Sequence, residues 1–198
     1  MMGINKVIRN RGMNDMPKNL TVEQKNILSS MKVGAAFAAD VAHACITMYV
    51  WDDNPKFLYI YHQELPRTQF LGELPDKTGR ELRGNEEPLV QRALQRGVPL
   101  SGKRELSLGL FVDLRVYPIQ DSKGKCFAVV AFDTNEPEEL FIITAVEFLK
   151  NTGRQILSSN YYGRLLPGDG LMIVDKDKVI IAAVSYTHLR AHETCADL

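Results

Sequence analysis

The sequence has few of the residues that usually indicate a specific chemistry. It has one tryptophan and three cysteines, Cys45, Cys126 and Cys195, whose spacing fits neither a metal centre nor a redox pair. Its 24 basic and 24 acidic residues cancel, so charge gives no indication of nucleic acid or of an acidic membrane surface as a partner. Neither a run of ~18–20 apolar residues, as needed to span a bilayer, nor a signal-peptide core is present. We therefore expect a cytoplasmic protein with reduced thiols, no nucleic-acid partner and no membrane partner.

Length and patterning divide the chain into four segments. With 198 residues, 45% of them hydrophobic, it can form one domain of ordinary size and part of a second. Residues 1–20 are polar and aperiodic, which predicts a flexible arm or translation upstream of a later start at Met13 or Met16. Residues 21–163 are the predicted main domain, residues 164–183 the first strands of another domain, and residues 184–198 a tail.

The main domain begins with a predicted helix and a hairpin. Thr21 and Gln24 have capping-box spacing, and an alanine-rich face follows over residues 28–42, which would let another helix approach closely. The partner could be the helix predicted at 138–162 or the same helix of a second subunit. Residues 45–51 and 56–62 read as two strands joined by a polar turn. Residues 63–85 have little periodicity, which fits either a binding loop or lid or an ordinary surface loop without a function.

The second half of the domain predicts more sheet. A short helix begins at Glu86, Glu87 and Pro88 and ends at Gly97, with the two acids near its positive end. Residues 101–106 suggest an edge strand, while 111–119 and 126–132 make the strongest hairpin in the chain. This order of elements predicts an α+β fold, an antiparallel sheet with helices on one face.

A long amphipathic helix over 138–162 is predicted to connect this domain to the next. Its apolar residues recur at three- and four-residue steps, broken only near 151–153; they are Leu140, Ile143, Val146, Leu149, Ile156 and Leu157. Pro167 and the glycines beside it end the helix, and 171–174 and 179–183 read as two short strands.

Four stretches together resemble a known family. Residues 39–51, 88–105, 116–132 and 164–183 are similar to the GAF-like N-terminal domain and the start of the PAS domain of cytosolic sensor histidine kinases. The resemblance is to the group that partners ANTAR-type response regulators, which includes the ethanolamine-sensing kinase. It implies a GAF/PAS-like antiparallel sheet with flanking helices, a long C-terminal connector helix and a truncated PAS domain.

The resemblance implies a signal-sensing input domain of a two-component system. A small ligand of unknown identity would bind the main domain, and the 138–162 helix would relay the change to PAS and kinase domains. An ANTAR-type response regulator is the implied partner, and the alanine-rich face at 28–42 together with the stripe at 140–157 predicts a parallel homodimer. The phosphoacceptor histidine and the ATP-binding boxes have no counterpart here, so we expect no catalytic residue, no cofactor and no metal in this chain.

Candidate ligand-binding residues are the charged and imidazole groups of the predicted strands, namely Arg104, Asp113, Arg115 and His62. If their side chains point into a cleft between sheet and loop, they could bind a small polar ligand. A solvated sheet face or a subunit contact is the simpler interpretation of the same charges. His62 and His43 fit structural roles better than metal or haem ligation.

Two other functions remain open. A stand-alone enzyme of the same fold, such as a free methionine sulfoxide reductase, would need a reactive thiol at Cys45 or Cys126, although buried unreactive thiols fit the pattern better. Alternatively, the sensor could serve a different output protein, because fold does not determine function.

The tail contains His188 and His192 four residues apart, a spacing that suggests metal ligands on a helix. The stretch 184–194, VSYTHLRAHET, instead resembles one reading frame of a transposase sequencing adapter translated as protein. We therefore expect residues 184–198 to be artefactual or disordered and exclude them from the function.

Overall fold

The computed structural model describes residues 17–54, 56–67, 75–107, 109–135, 139–155, 170–174 and 180–185. Its helices and strands, in chain order, are α1 Val22–Ala42, β1 Cys45–Trp51, β2 Phe57–Glu64, β3 Glu81–Arg83, α2 Pro88–Arg96, β4 Leu100–Ser107, β5 Leu110–Gln120, β6 Cys126–Thr134, α3 Glu139–Gln155, β7 Gly170–Val174 and β8 Ile180–Ser185. A short 3-10 turn, Gly84–Glu86, precedes α2.

The main sheet has six antiparallel strands in the order β3-β2-β1-β6-β5-β4. Both predicted hairpins are present, and β4 lies at an edge as expected. The loop predicted over 63–85 is partly regular, because β2 extends to Glu64 and β3 pairs with it at Glu81–Arg83. The sequence missed β3 because three residues are too few for a visible alternation.

Helices cover both faces of this sheet, so the expectation of helices on one face only was wrong. α1 and α3 pack on one face against Ile46, Val130 and Phe132. α2 packs on the opposite face with Val129 and Ala131. The physical reason lies in β6, which is buried at nearly every position: a strand with apolar residues on both faces needs cover on both.

α1 begins with the predicted capping box and packs against α3. Thr21 Oγ1 accepts from the Gln24 backbone N–H at 3.2 Å, and Gln24 Oε1 accepts from the Thr21 backbone N–H at 3.1 Å. The small side chains of Ala35 and Ala38, both fully buried, allow the helices to approach closely. The rings of Phe37 and Phe148 lie 4.2 Å apart between centroids. The alanine-rich face therefore packs on the helix predicted at 138–162, within one chain.

The buried stripe of α3 includes Val146 and Leu149 as predicted, but Ile142 takes the place of Ile143. Ile142 is fully buried with Val146 and Leu149, whereas Ile143 is 40% exposed. The helix continues through 151–153, where the stripe was expected to break. Residues beyond 155, including Ile156 and Leu157, lie outside the described part of the chain.

The two strands predicted after the connector form the β7–β8 hairpin. β8 extends to Ser185, so the first two residues of the expected tail belong to a strand, in which Val184 pairs with Leu171. β8 also contacts α1. His188 and His192 lie outside the described residues.

Candidate functional site

A cavity of about 410 Å³ opens on the α2 side of the sheet. It lies between the start of α2, strands β3 to β5 and the segment that precedes β3. Its lining residues are Lys77, Arg80, Leu82, Glu86, Glu87, Pro88, Leu89, Lys103, Arg104, Glu105, Leu106 and Leu114. Its volume lies within the range of small-molecule sites, and its walls carry more charged residues than most such sites do.

Arg104 forms the inner wall of this cavity, and three groups from different elements hold its guanidinium. Nη1 donates to Asp133 Oδ2 at 2.5 Å, and Nη2 donates to Glu87 Oε2 at 2.7 Å and to the Tyr49 hydroxyl at 3.2 Å. The side chains of Arg104 and Asp133 are only 11% and 3% exposed. The network therefore joins β4, β6, β1 and the N-terminus of α2 in a place with little water.

The electrostatics of the network follow from burial and mutual attraction. Burial alone opposes the charge of Arg104, but Tyr49, Asp133 and Glu87 together raise its pKa, so the guanidinium stays ionised. Burial raises the pKa of Asp133 while Arg104 lowers it, and the net direction is upward. Burial also raises the pKa of Tyr49, which keeps its hydroxyl protonated.

The network lies next to the junction between the sheet and the helices on the opposite face. Asp133 pairs with Cys45 at the start of β1. The following residue, Thr134, donates its hydroxyl proton to the carbonyl of His43 at the end of α1 at 3.2 Å. β6 ends at Thr134 and α3 begins at Glu139, so a displacement of Asp133 has a short path to both helices.

Of the four predicted candidates, only Arg104 lines the cavity. Asp113 pairs with Thr134 and Lys103 in the sheet, and Arg115 lies 4.0 Å from Glu139 at the start of α3. Both positions alternate with three buried residues of β5, Val112, Leu114 and Val116, and so face the opposite side from Leu114. His62 interacts with Glu64 of its own strand at 3.1 Å.

Sequence reasoning missed three members of the network. Glu87 was expected to support α2 through the helix dipole, but its side chain bonds Arg104 and makes no capping hydrogen bond. Asp133 carried a signal that could have been used, because it is the one acid in the apolar strand β6. Tyr49 carried none, since a tyrosine in a buried strand is ordinary.

Cys45 and Cys126, the two cysteines that the structure describes, are free thiols that are buried or half-buried. Cys45 is 1% exposed, and burial followed by the charge of Asp133 raises its pKa. Cys126 is half-buried, and burial raises its pKa as well. They begin antiparallel strands β1 and β6, so they lie at opposite ends of the sheet. Raised thiol pKa values disfavour the thiolate that a reductase needs.

Within the residues described, no cluster of three or more His, Cys, Asp or Glu side chains is close enough to hold a metal ion. Across the same residues, no helix is both long and apolar enough to cross a membrane.

A six-stranded antiparallel sheet, with two long helices behind it and a short helix and a cavity in front, defines the GAF class of α+β domains. The family profile described as "Histidine kinase PdtaS, GAF domain" matches residues 16–140. The chain therefore belongs to the family of GAF domains of the histidine kinase PdtaS.

One solved structure agrees with this fold. The chain is similar to the sensor region of a sensor histidine kinase, with 19% identity, a TM-score of 0.55 and 83% of this chain covered. The match spans 61% of that structure's length. Two further structures match more weakly. A structure of a GAF domain has 13% identity and a TM-score of 0.40, with 70% of this chain and 90% of that chain covered. A sensory box sensor histidine kinase from Vibrio cholerae has 15% identity and a TM-score of 0.33, with 59% of this chain and 99% of that chain covered. Comparison with curated proteins finds no match.

Proposed function

We propose that the chain is the ligand-sensing input domain of a cytoplasmic two-component sensor histidine kinase. A small polar ligand would bind in the cavity beside α2, and the 138–162 helix would relay binding to PAS and kinase domains. The observation that carries the proposal is Arg104, which forms the inner wall of the cavity and bonds Asp133 near the end of β6. A ligand that moves Arg104 would act directly on the strand that leads to α3.

The relay requires two arrangements that the ligand stabilises unequally. Asp133 and Thr134 connect the network to the end of α1 and to the segment before α3, as the Thr134–His43 hydrogen bond illustrates. Since α1 and α3 pack on each other, a small shift at this junction would move them together. The output would be phosphorylation of an ANTAR-type response regulator by the parent kinase, with no catalytic residue in this chain.

A homodimer is part of this proposal, but the surface differs from the one that the sequence suggested. The alanine-rich face of α1 and the buried stripe of α3 are already used against each other within one chain. Apolar residues remain exposed on their outer sides: Val22, Val33 and Ile143 are 77%, 48% and 40% exposed. We expect light scattering to give a dimer mass, and Val33→Glu together with Ile143→Glu to give a monomer. A wild-type protein that stays monomeric at every concentration would contradict this part.

The ligand-sensing function can be tested by screening polar metabolites for thermal stabilisation of the complete chain. Leu82→Trp should fill the cavity and abolish stabilisation by any true ligand. Val98→Trp is the matched control, because Val98 is 44% exposed and does not line the cavity. A ligand should also change amide hydrogen exchange in α3. If every stabilising compound also stabilises Leu82→Trp equally, the cavity is not the sensing site.

A further inference from the structure

We propose that the cavity takes a ligand with an oxyanion group, a carboxylate or a phosphate, which binds Arg104 in place of the Glu87 carboxylate. This inference rests on the proposed function and adds the ligand class and the group that the ligand displaces. Three independent features carry it: the distribution of charge around the cavity, the geometry of Arg104, and the position of Glu87.

The charges nearest the interior of the cavity are mainly positive. Lys77 and Arg80 are partly buried in its lining, and in the part of the chain that the structure describes neither forms an ion pair. Two of the lining acids, Glu86 and Glu105, are exposed, and their carboxylates accept from the backbone N–H groups of Arg83 and Gly109. Glu87 is thus the acid whose charge faces the interior, and Arg104 already holds it.

Arg104 retains unused capacity to bind an anion. Its Nε is buried and has no hydrogen-bond partner, although an arginine offers five N–H donors in a planar fork. A carboxylate or phosphate can engage Nε and Nη2 of such a fork together, which a single Glu87 oxygen does not do. An incoming oxyanion can therefore satisfy a donor that the protein itself leaves unsatisfied.

Glu87 is the replaceable partner of Arg104, and Asp133 is the permanent one. Asp133 is 3% exposed, lies on the central strand β6 and does not line the cavity. The Glu87 side chain is 15% exposed, lines the cavity, and comes from the junction between the 3-10 turn and α2. Glu87 can therefore rotate into the cavity mouth, whereas the Asp133 carboxylate would stay buried and unpaired if it lost Arg104.

The test measures binding of succinate and of inorganic phosphate to the complete chain by calorimetry, with Glu87→Gln and Glu86→Gln as matched variants. Both substitutions remove one negative charge at the start of α2, but only Glu87 bonds Arg104. We expect Glu87→Gln to bind one or both probes at least about tenfold more tightly than wild type, as loss of a competing charge-assisted hydrogen bond requires. Glu86→Gln should change affinity by less than about threefold.

A second readout follows the Arg104 side chain itself. Its Nε–H signal in nitrogen-edited NMR should move on addition of the probe that binds, and Arg104→Lys should weaken binding because lysine lacks the fork. Comparing the two probes distinguishes a carboxylate ligand from a phosphate ligand. If Glu86→Gln and Glu87→Gln tighten probe binding equally, or if the Nε–H signal does not move, then the probe does not displace the Glu87 carboxylate from Arg104.

Failure of this inference is separable from failure of the sensing function. The oxyanion assignment is wrong if neither probe binds wild type or Glu87→Gln. It is also wrong if small primary amines bind and Glu87→Gln weakens their binding. The sensing function would still stand if some compound stabilises wild type and Val98→Trp but not Leu82→Trp.

Discussion

Replacement of Arg104 by methionine should strongly destabilise the fold, because it leaves Asp133 as a buried charge without compensation. Methionine preserves most of the side-chain volume and removes the guanidinium. Arg104 and Asp133 are 11% and 3% exposed, so solvent screens their interaction little, and Oδ1 of Asp133 already has no partner. Breaking a buried pair of this kind costs about 3–5 kcal/mol. Urea unfolding of the complete chain, followed by the fluorescence of Trp51, measures this loss.

Arg115→Met is the matched control. Arg115 also lies on a strand and faces an acid, but the pair is separated by 4.0 Å and its side chains are 26% and 62% exposed. Such a pair contributes at most about 1 kcal/mol. We also expect Arg104→Met combined with Asp133→Asn to regain roughly half of the lost stability, since the double variant no longer buries an unpaired charge at position 133.

The pH dependence has a definite sign. Burial already raises the pKa of Asp133, and loss of Arg104 removes the charge that opposes this rise. The folded variant would then bind the Asp133 proton more tightly than the unfolded chain, where the pKa is about 3.9. The stability of the Arg104→Met variant should fall as pH rises from about 4 through the raised pKa of Asp133. The difference in free energy of unfolding between wild type and variant is therefore smallest in acid. A loss below about 1 kcal/mol, or one unchanged by acid, would refute the reasoning.

Two further predictions concern the helix face and the thiols. Leu149→Ala should lower the free energy of unfolding by about 2–5 kcal/mol, because Leu149 is 1% exposed. Ile143→Ala, at a 40% exposed position, should lower it by under about 1 kcal/mol. The reverse ranking in urea unfolding would mean that α3 presents another face to the core. Iodoacetamide should label Cys126 faster than Cys45, and both more slowly than in unfolded protein, because burial raises both pKa values. Labelling of Cys45 at the unfolded rate would revive the reductase hypothesis.

Local chemistry made several elements predictable from the sequence. The capping box at Thr21, the end of α2 at Gly97 and the β5–β6 hairpin depend on residues a few positions apart, and all three are present. Gly97 adopts a φ of 66°, a left-handed conformation that glycine accepts without steric cost. The family resemblance, which the match over residues 16–140 confirms at the level of the GAF domain, added the class of protein.

The candidate site could be predicted only in part. Arg104 was singled out as a charged residue of a predicted strand whose side chain could point into a cleft, but Asp113 and Arg115 satisfied the same criterion and lie away from the cavity. Period-two alternation shows that two side chains share a face and does not show which face holds a cavity. The burial of Ile142 in place of Ile143 in α3 has a related cause, since both residues are apolar and only packing on α1 selects one of them.

By itself, the sequence determined the order of most elements, the caps and turns, and the class of protein, because these depend on neighbours along the chain and on recognisable stretches. Tertiary structure alone decided that α2 covers the second face of the sheet and that Arg104 meets Glu87, Asp133 and Tyr49. Those contacts join residues 17, 29 and 55 positions apart, and sheet order brings them together. No local pattern encodes such a meeting, because it depends on which strands are neighbours in the sheet and on the face against which α2 packs.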